Sequence, residues 1–322
     1  MNARLSRVAV VGGGYMGGGI AQTFAINRVD CVLADVSRDL AEKSVARLRT
    51  EAERYESEGL FPPGAYQQVR DHLFPATSLE EAVGAADYIA EAVPEDATLK
   101  HEILSRISRS ARPEAVIASN TSAIPIADLA RSVQGAQRFL GAHWMNPAYF
   151  VPCVEVIPTD ETDEQVVRNV MELLREVGKS PTRVSDAPGF IANRLQYALF
   201  KECTRLVEEG IAEPAQIDEV VSNSFGFRLP FFGPFAIADI AGLDVYAGAF
   251  ATMEKAFGER MSTPGSLLHE ISEGRLGTKS GGGFYHLEES KVSEVTKYRD
   301  RSYAQLNALK NDLGDLQLRP RG

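Results

Sequence analysis

The sequence predicts a doubly wound α/β domain over residues 1–186, followed by a smaller all-α domain over residues 187–322. Three observations carry this reading. Short apolar runs alternate with helical patterns up to about residue 185, and a glycine-rich turn joins the first run to the first helical pattern. Beyond Asp186 the strand signal gives way to apolar residues at helical spacing. In chain order the strand-like runs are RVAVVG, CVLAD, DYIAEAV, AVIASNT, RFLGAH and CVEVI, each short and apolar as buried parallel strands are. Helical patterns separate most of them, which is the layout of a doubly wound sheet. After DAPGF (Asp186 to Phe190), the segment NRLQYALFKECTRLVEEGI is helical in period, and Gly210 stands where such a helix would stop. The stretch KVSEVTKYRDRSYAQLNALKNDL reads as a charged amphipathic helix or tail.

Composition narrows the function classes. A chain of 322 residues, 44% hydrophobic and 24% charged, can bury ordinary cores without disulfides or metals. The net charge of -10, with no basic run interleaved with aromatics, sets nucleic acid aside as a partner. Cys31, Cys153 and Cys203 lie far apart with no CxxC pair, so neither a disulfide framework nor a metal site is expected, and a reducing cytoplasm suits them. No apolar run nears the ~18 residues of a membrane span, so the expectation is a cytoplasmic protein with no membrane partner.

Gly12, Gly14 and Gly17 fit GxGxxG between a strand and a helix, and Asp35 ends the next strand. This is a Rossmann-type dinucleotide fingerprint. Gly12 permits the tight turn, Gly14 lets backbone approach a pyrophosphate, and Gly17 lets helix and strand pack closely. The anion would rest on the helix N-terminus, and Tyr15 and Met16 in the same turn join the cofactor-contacting set. Asp35 would accept a hydrogen bond from a ribose 2′-hydroxyl and repel a 2′-phosphate, which favours NAD, although nearby Arg38 would suit NADP. A glycine-rich turn with an ordinary surface Asp is the plain alternative.

The runs SNTSAI (Ser119 to Ile124) and GAHWMNPAYFVPCVEVI (Gly141 to Ile157) place polar groups at strand ends, where open α/β sheets bind ligands. His143 and Glu155, on neighbouring strand segments, could meet as an imidazole oriented by a carboxylate, a pair suited to proton transfer near neutral pH. Taken singly, His143 also reads as a structural histidine and Ser122 as a turn or cap residue.

GGGYMGGGIAQ, ASNTSAIPI, HWMNP, VEVI, DAPGFIANRL, GPFAIADIAGLDV and GTKSGGGFY occur in the order found in the L-3-hydroxyacyl-CoA dehydrogenase family, which the chain resembles from about residue 7 to residue 286. The resemblance implies His143 as catalytic base paired with Glu155, and Ser122 and Asn193 hydrogen-bonding the reacting hydroxyl. It implies Glu95, Lys100, Asn120 and Lys279 at positions lining the NAD or substrate cleft, Asn146 of HWMNP near the substrate, and a homodimer made by the helical domain. Acyl-CoA members commonly read His-Phe-Phe-Asn-Pro and hold CoA with a Ser and a Lys. By an ungapped count those two positions fall here on Glu51 and Glu58, within the acidic run EAERYESEG. HWMNPAYFVP and GFRLPFFGP are more similar to the lambda-crystallin branch, which acts as an L-gulonate 3-dehydrogenase. The expectation is therefore NAD-dependent oxidation of a small L-3-hydroxy acid such as L-gulonate or carnitine, its carboxylate held by Arg228. A short acyl-CoA such as 3-hydroxybutyryl-CoA is the alternative substrate. A non-catalytic nucleotide-binding protein of the crystallin kind is the third reading, and the joint presence of Ser122, His143, Glu155 and Asn193 argues against it.

Overall fold

The computed structural model describes residues 6–314, so residues 1–5 and 315–322 of the two expected domain ranges lie outside the described residues. The chain divides into two compact units, with the boundary between Ala198 and Leu199.

The first unit runs β1 (Arg7–Val11), α1 (Tyr15–Ile26), β2 (Asp30–Ala34), α2 (Arg38–Ser57), α3 (Ala65–His72), β3 (Leu73–Pro75), α4 (Leu79–Gly84) and β4 (Tyr88–Glu91). It continues through α5 (Ala97–Ser110), β5 (Val116–Ser119), α6 (Ile126–Ala130), β6 (Phe139–Trp144), β7 (Cys153–Pro158), α7 (Glu164–Glu176) and β8 (Ser180–Arg183), and the boundary between the units falls within α8 (Ala192–Glu208). The strands form one sheet in the order β3-β2-β1-β4-β5-β6-β7-β8. Alternation along each strand divides the core between the two faces. Val8 and Val10 pack with Phe24, Leu33, Leu48 and Trp144 on one side, while Ala9 and Val11 pack with Leu104, Ile107, Ile117 and Phe139 on the other. Side-chain caps set three helix starts: Ser37, Ser78 and Asp96 accept from the backbone N–H of Leu40, Glu81 and Leu99.

The expected parallel arrangement fails at one place. β7 runs antiparallel to β6. Only residues 145–152 join them, short of the roughly dozen residues that a parallel crossover requires. β3 and β8 were not among the expected strands: the first has three residues, and the second is a largely exposed edge of sequence SPTR that lacks the apolar signal.

The second unit contains α9 (Pro214–Asn223), α10 (Phe225–Arg228), α11 (Pro234–Ala241), α12 (Leu243–Phe257), α13 (Gly265–Ser272) and α14 (Glu289–Leu313), with isolated bridges around Gly282 as its only β pairing among the described residues. Its buried centre is small: Ala238, Leu243 and Leu267, packed by Tyr246, Phe250, Ile271 and Phe284. Among the described residues no single helix is long and apolar enough to cross a membrane.

The GTKSGGGFY segment owes its glycines to Asp239. This buried carboxylate accepts hydrogen bonds from the N–H groups of Phe284 at 3.1 Å and Tyr285 at 2.9 Å. A Cβ on Gly277 would lie 2.1 Å from the Asp239 carbonyl oxygen, and one on Gly283 would lie 2.2 Å from its Oδ1. Asp239→Ala should therefore lower stability by about 1.5–3 kcal/mol, the usual worth of hydrogen bonds to a charged group. Asp239→Asn, which keeps one acceptor oxygen, should cost less. Denaturant midpoints for the two variants check this ranking, and an unchanged midpoint for Asp239→Ala would contradict it.

Candidate active site

The glycine turn lies at the carboxyl end of β1. Gly12 has φ of +108°, and a Cβ there would sit 2.7 Å from the Ala92 carbonyl oxygen. A Cβ on Gly17 would lie 1.9 Å from the Gly12 carbonyl oxygen, so α1 can approach the strand end only with glycine at that position. Gly14, the N-cap of α1, is different, because a Cβ there would meet nothing within 4 Å. No side chain caps α1 and no acidic residue occupies its first turn, which leaves its N–H groups and positive dipole end available to an anion. Gly13 N–H donates to Asp35 Oδ2 at 3.0 Å, and Arg47 donates to the Gly13 carbonyl at 2.9 Å. A cleft of about 930 Å³ opens here, lined by Gly14, Tyr15, Asp35, Val93, Glu95 and Asn120 among others. Open backbone at Gly14, an uncapped helix start and a carboxylate after β2 fit a dinucleotide. Met16 also faces the cleft, as do Thr77 and Ser78 after β3 and Arg106 on α5, three residues that carried no sequence motif.

His143 and Glu155 stand directly opposite each other on β6 and β7. The His143 ring Nδ1 lies 2.8 Å from Glu155 Oε2, and both residues are buried. A carboxylate only accepts, so Nδ1 carries the proton and Nε2 is left with its lone pair. The other carboxylate oxygen, Oε1, accepts from the N–H groups of Ile191 and Ala192, each at 2.9 Å, at the start of α8. The chain reaches that position through two left-handed residues in succession, Gly189 at φ +74° and Phe190 at φ +48°. A buried phenylalanine with positive φ is strained, and its ring packs 5.6 Å from the His143 ring. Sequence reading singled out neither the Phe190 contact nor the two backbone donors.

Ser122 and Asn193 also come together: Asn193 Nδ2 donates to the Ser122 carbonyl at 3.0 Å. Glu95 organises the same loop, accepting from Thr121 Oγ1 at 2.6 Å, Ser122 N–H at 2.8 Å and Ala123 N–H at 3.0 Å. Burial works against the Glu95 charge, but these donors and nearby Lys100 outweigh it and hold the carboxyl below its ordinary pKa. Asn120 accepts from Trp144 N–H at 2.9 Å, linking a cleft-lining residue to the strand that carries His143. Lys100 departs from expectation. It is fully buried, with Nζ 2.8 Å from Glu91 Oε1, 3.1 Å from the Val93 carbonyl and 3.6 Å from Glu95 Oε2, and so it supports the cleft wall from behind.

Three expected residues remain. Asn146 is exposed in the loop after β6. Lys279 belongs to the second unit, where it is ion-paired with Asp244. Arg228 ends α10 and lines a pocket of that unit. Among the described residues no group of His, Cys, Asp and Glu could hold a metal ion.

Comparisons with known proteins agree with this layout. The model for the 3-hydroxyacyl-CoA dehydrogenase NAD binding domain matches residues 7–187, and that for the 3-hydroxyacyl-CoA dehydrogenase C-terminal domain matches residues 189–287. A probable 3-hydroxybutyryl-CoA dehydrogenase of Bacillus subtilis is 35% identical over 286 residues, which are 88% of this chain and 98% of that protein. The 5-formyl-3-hydroxy-2-methylpyridine 4-carboxylate 5-dehydrogenase of Mesorhizobium japonicum is 32% identical over 298 residues, 92% of this chain and 96% of that one. The crystal structure of a 3-hydroxyacyl-CoA dehydrogenase from Archaeoglobus fulgidus aligns with a TM-score of 0.79 at 32% identity, covering 95% of this chain and all 100% of its own. The lambda-crystallin branch is not shown by these relatives and rests on the sequence motifs alone. With both domain models matched in order, the chain belongs to the 3-hydroxyacyl-CoA dehydrogenase family of NAD-dependent oxidoreductases acting on CH-OH groups.

Proposed function

We propose that this protein oxidises the secondary hydroxyl of a short L-3-hydroxyacyl-CoA, such as 3-hydroxybutyryl-CoA, to the 3-keto product. The observation that carries the chemistry is the buried His143–Glu155 couple, tied through Trp144 and Asn120 to the wall of the dinucleotide cleft. Gly12, Gly14, Tyr15, Met16, Gly17 and Asp35 would hold the NAD, and the chemistry it supplies when bound is acceptance of a hydride from the substrate carbon. His143 Nε2 takes the hydroxyl proton, and Glu155 stabilises the positive charge that develops on the ring. Ser122 and Asn193 orient the hydroxyl. The 3-hydroxybutyryl-CoA dehydrogenase relative supports the thioester substrate. The free cysteines suit a cytoplasmic setting.

A small carboxylated alcohol is the second reading. It is favoured by the acidic residues Glu51, Glu53 and Glu58 at the end of α2, where positions matching the family's CoA contacts fall, and by Arg228 as a cation for a free carboxylate. The relative named for a pyridine carboxylate points the same way.

The helical unit supports a homodimer. Only Ile217, Ile237, Ala238, Leu243 and Leu267 are its buried hydrophobics among the described residues, while Phe200 and Phe235 are 63% and 53% exposed and α8 has no buried residue at all. Exposed apolar surface of this kind is what a two-fold interface would cover.

Four outcomes test these proposals. His143→Gln should lower kcat by at least ~10²-fold, the low end of general-base contributions, while NADH affinity is kept. Glu155→Gln should act similarly, because the amide NH2 can donate to Nδ1 and shift the ring proton to Nε2; normal turnover in either variant removes the couple from the mechanism. In an NAD-reduction screen, kcat/KM for L-3-hydroxybutyryl-CoA should exceed that for free L-3-hydroxybutyrate and aromatic hydroxymethyl acids by at least ~10-fold, and the reverse ranking moves the assignment to the second reading. Light scattering at micromolar concentration should give twice the chain mass, and a monomer mass would overturn the dimer.

A further inference from the structure

α14 lies beyond residue 287, where the match to the family's C-terminal domain ends, and it helps build a pocket that the proposed reaction does not use. The cavity measures about 340 Å³ and is lined by Arg228, Ile237, Ile240, Ala241, Arg299 and Tyr303. It brings together the end of α10, the end of α11 and the middle of α14, all within the second unit.

The charges in this pocket are unbalanced. Arg228 has no acidic or other acceptor for its guanidinium among the described residues. Arg299 pairs with its neighbour Asp300, using Nε at 2.8 Å and Nη2 at 2.7 Å on the same carboxylate oxygen, and with no other acid among the described residues. The Tyr303 hydroxyl lies within the field of both arginines: loss of solvent pushes its pKa up, and the two guanidinium charges pull against that rise. The tyrosine is fixed as well as polar, since its ring packs against Phe227 at 5.8 Å and against Phe231 and Phe232 at 6.3 Å each. Lys310, further along α14, clamps that helix to α9 by donating to Asn223 Oδ1 at 2.6 Å. An unpaired guanidinium, Arg228, and one paired to Asp300 outside the lining, Arg299, therefore meet at a cavity whose tyrosine is fixed by packing.

We propose that this pocket binds a small organic carboxylate. A guanidinium stays charged at any physiological pH and presents a planar fork that matches a carboxylate by two parallel hydrogen bonds. The Tyr303 hydroxyl adds a third donor. Ile237, Ile240 and Ala241 supply an apolar wall for a short carbon skeleton, which a fully hydrated inorganic anion would not use. The site belongs to the second unit by itself and does not rest on either choice of substrate. Its ligand is either the carboxylate of a substrate or a separate carboxylate effector.

Calorimetric titration of the full-length protein with butyrate and with benzoate tests this, with inorganic phosphate as the comparison anion. The expected result is a saturating isotherm with one site per chain, at least tenfold tighter for the carboxylates than for phosphate. Arg228→Gln should weaken carboxylate binding at least tenfold. Tyr303→Phe keeps the aromatic packing and should weaken it by a smaller factor, and NADH affinity should be unchanged in both. Equal binding of phosphate and carboxylate, or wild-type affinity in Arg228→Gln, overturns the proposal. Inhibition of turnover by butyrate then identifies the source: competition with substrate makes the pocket part of substrate binding, and a noncompetitive pattern makes it an effector site. A protein that binds carboxylates but does not turn over the thioester refutes the reaction proposed above and leaves this site standing.

Discussion

A single buried carboxylate ties the catalytic residues to the fold. Glu155 has one oxygen on the His143 ring and the other on two N–H groups at the start of α8. A buried carboxylate with too few partners is costly, and the three bonds give both of its oxygens partners inside the protein. They also set geometry in three places at once. The histidine is fixed in one tautomer, β6 is held against β7 at the residue pair where the sheet turns antiparallel, and the first turn of α8 is anchored to the sheet. Asn193, one residue beyond the second donor, is thereby brought to Ser122. The strained Gly189–Phe190 turn follows from the same requirement, because the chain must double back to aim two successive N–H groups at one oxygen.

A second buried network holds the opposite wall. Glu91 and Lys100 are both fully buried, and Glu91 also accepts from Ser119 at 2.5 Å and from Val93 N–H at 2.8 Å. Lys100 spans from this carboxylate toward Glu95, whose remaining contacts shape the Thr121–Ala123 turn. The ends of β4 and β5 are thus joined by charge, and the cleft has a wall that does not need a ligand to take its shape. Lys179 does comparable work on the loop after β6: its ammonium, pushed down to about 8 by burial, donates to the carbonyls of Ala148, Tyr149 and Val151.

What could be read from the sequence follows from how local each signal is. The glycine turn, Asp35 and the central strands were legible because backbone sterics and a continuous apolar run leave marks on adjacent residues. The His143–Glu155 pairing was legible because a short connection forces the two segments to be neighbours, although the same shortness should also have announced the antiparallel direction. The inward turn of Lys100 was not legible, because a lysine on a helix looks the same whether it reaches a cleft or turns inward to a buried Glu91; only the fold decides. The donors on Ile191 and Ala192 left no mark at all, since backbone N–H groups carry no residue identity. The pocket of Arg228, Arg299 and Tyr303 was half visible: Arg228 stood out among apolar neighbours, but its partners lie some seventy residues away on α14.

The acidic run at the end of α2 shows how a charge pattern changes meaning once its contacts are known. Read alone, four glutamates within EAERYESEG argue against the phosphates of CoA. In the fold they do different things. Glu56 accepts from the N–H groups of Gly64 at 2.8 Å and Tyr66 at 2.7 Å, and these two bonds hold its carboxyl below the usual range while they start α3. Glu51 lies 3.7 Å from Arg47, the residue that donates to the Gly13 carbonyl in the dinucleotide turn. Two of the four acids therefore have structural reasons to be present, and one of those reasons is support of the cofactor turn. Only Glu53 and Glu58 remain as surface charges with no such task among the described residues. At a Debye length of about 8 Å in physiological salt, two exposed carboxylates repel a phosphate weakly. The acidic run thus loses most of its force against a CoA ester, and the electrostatic case for a free carboxylate rests instead on the unpaired Arg228 of the second unit.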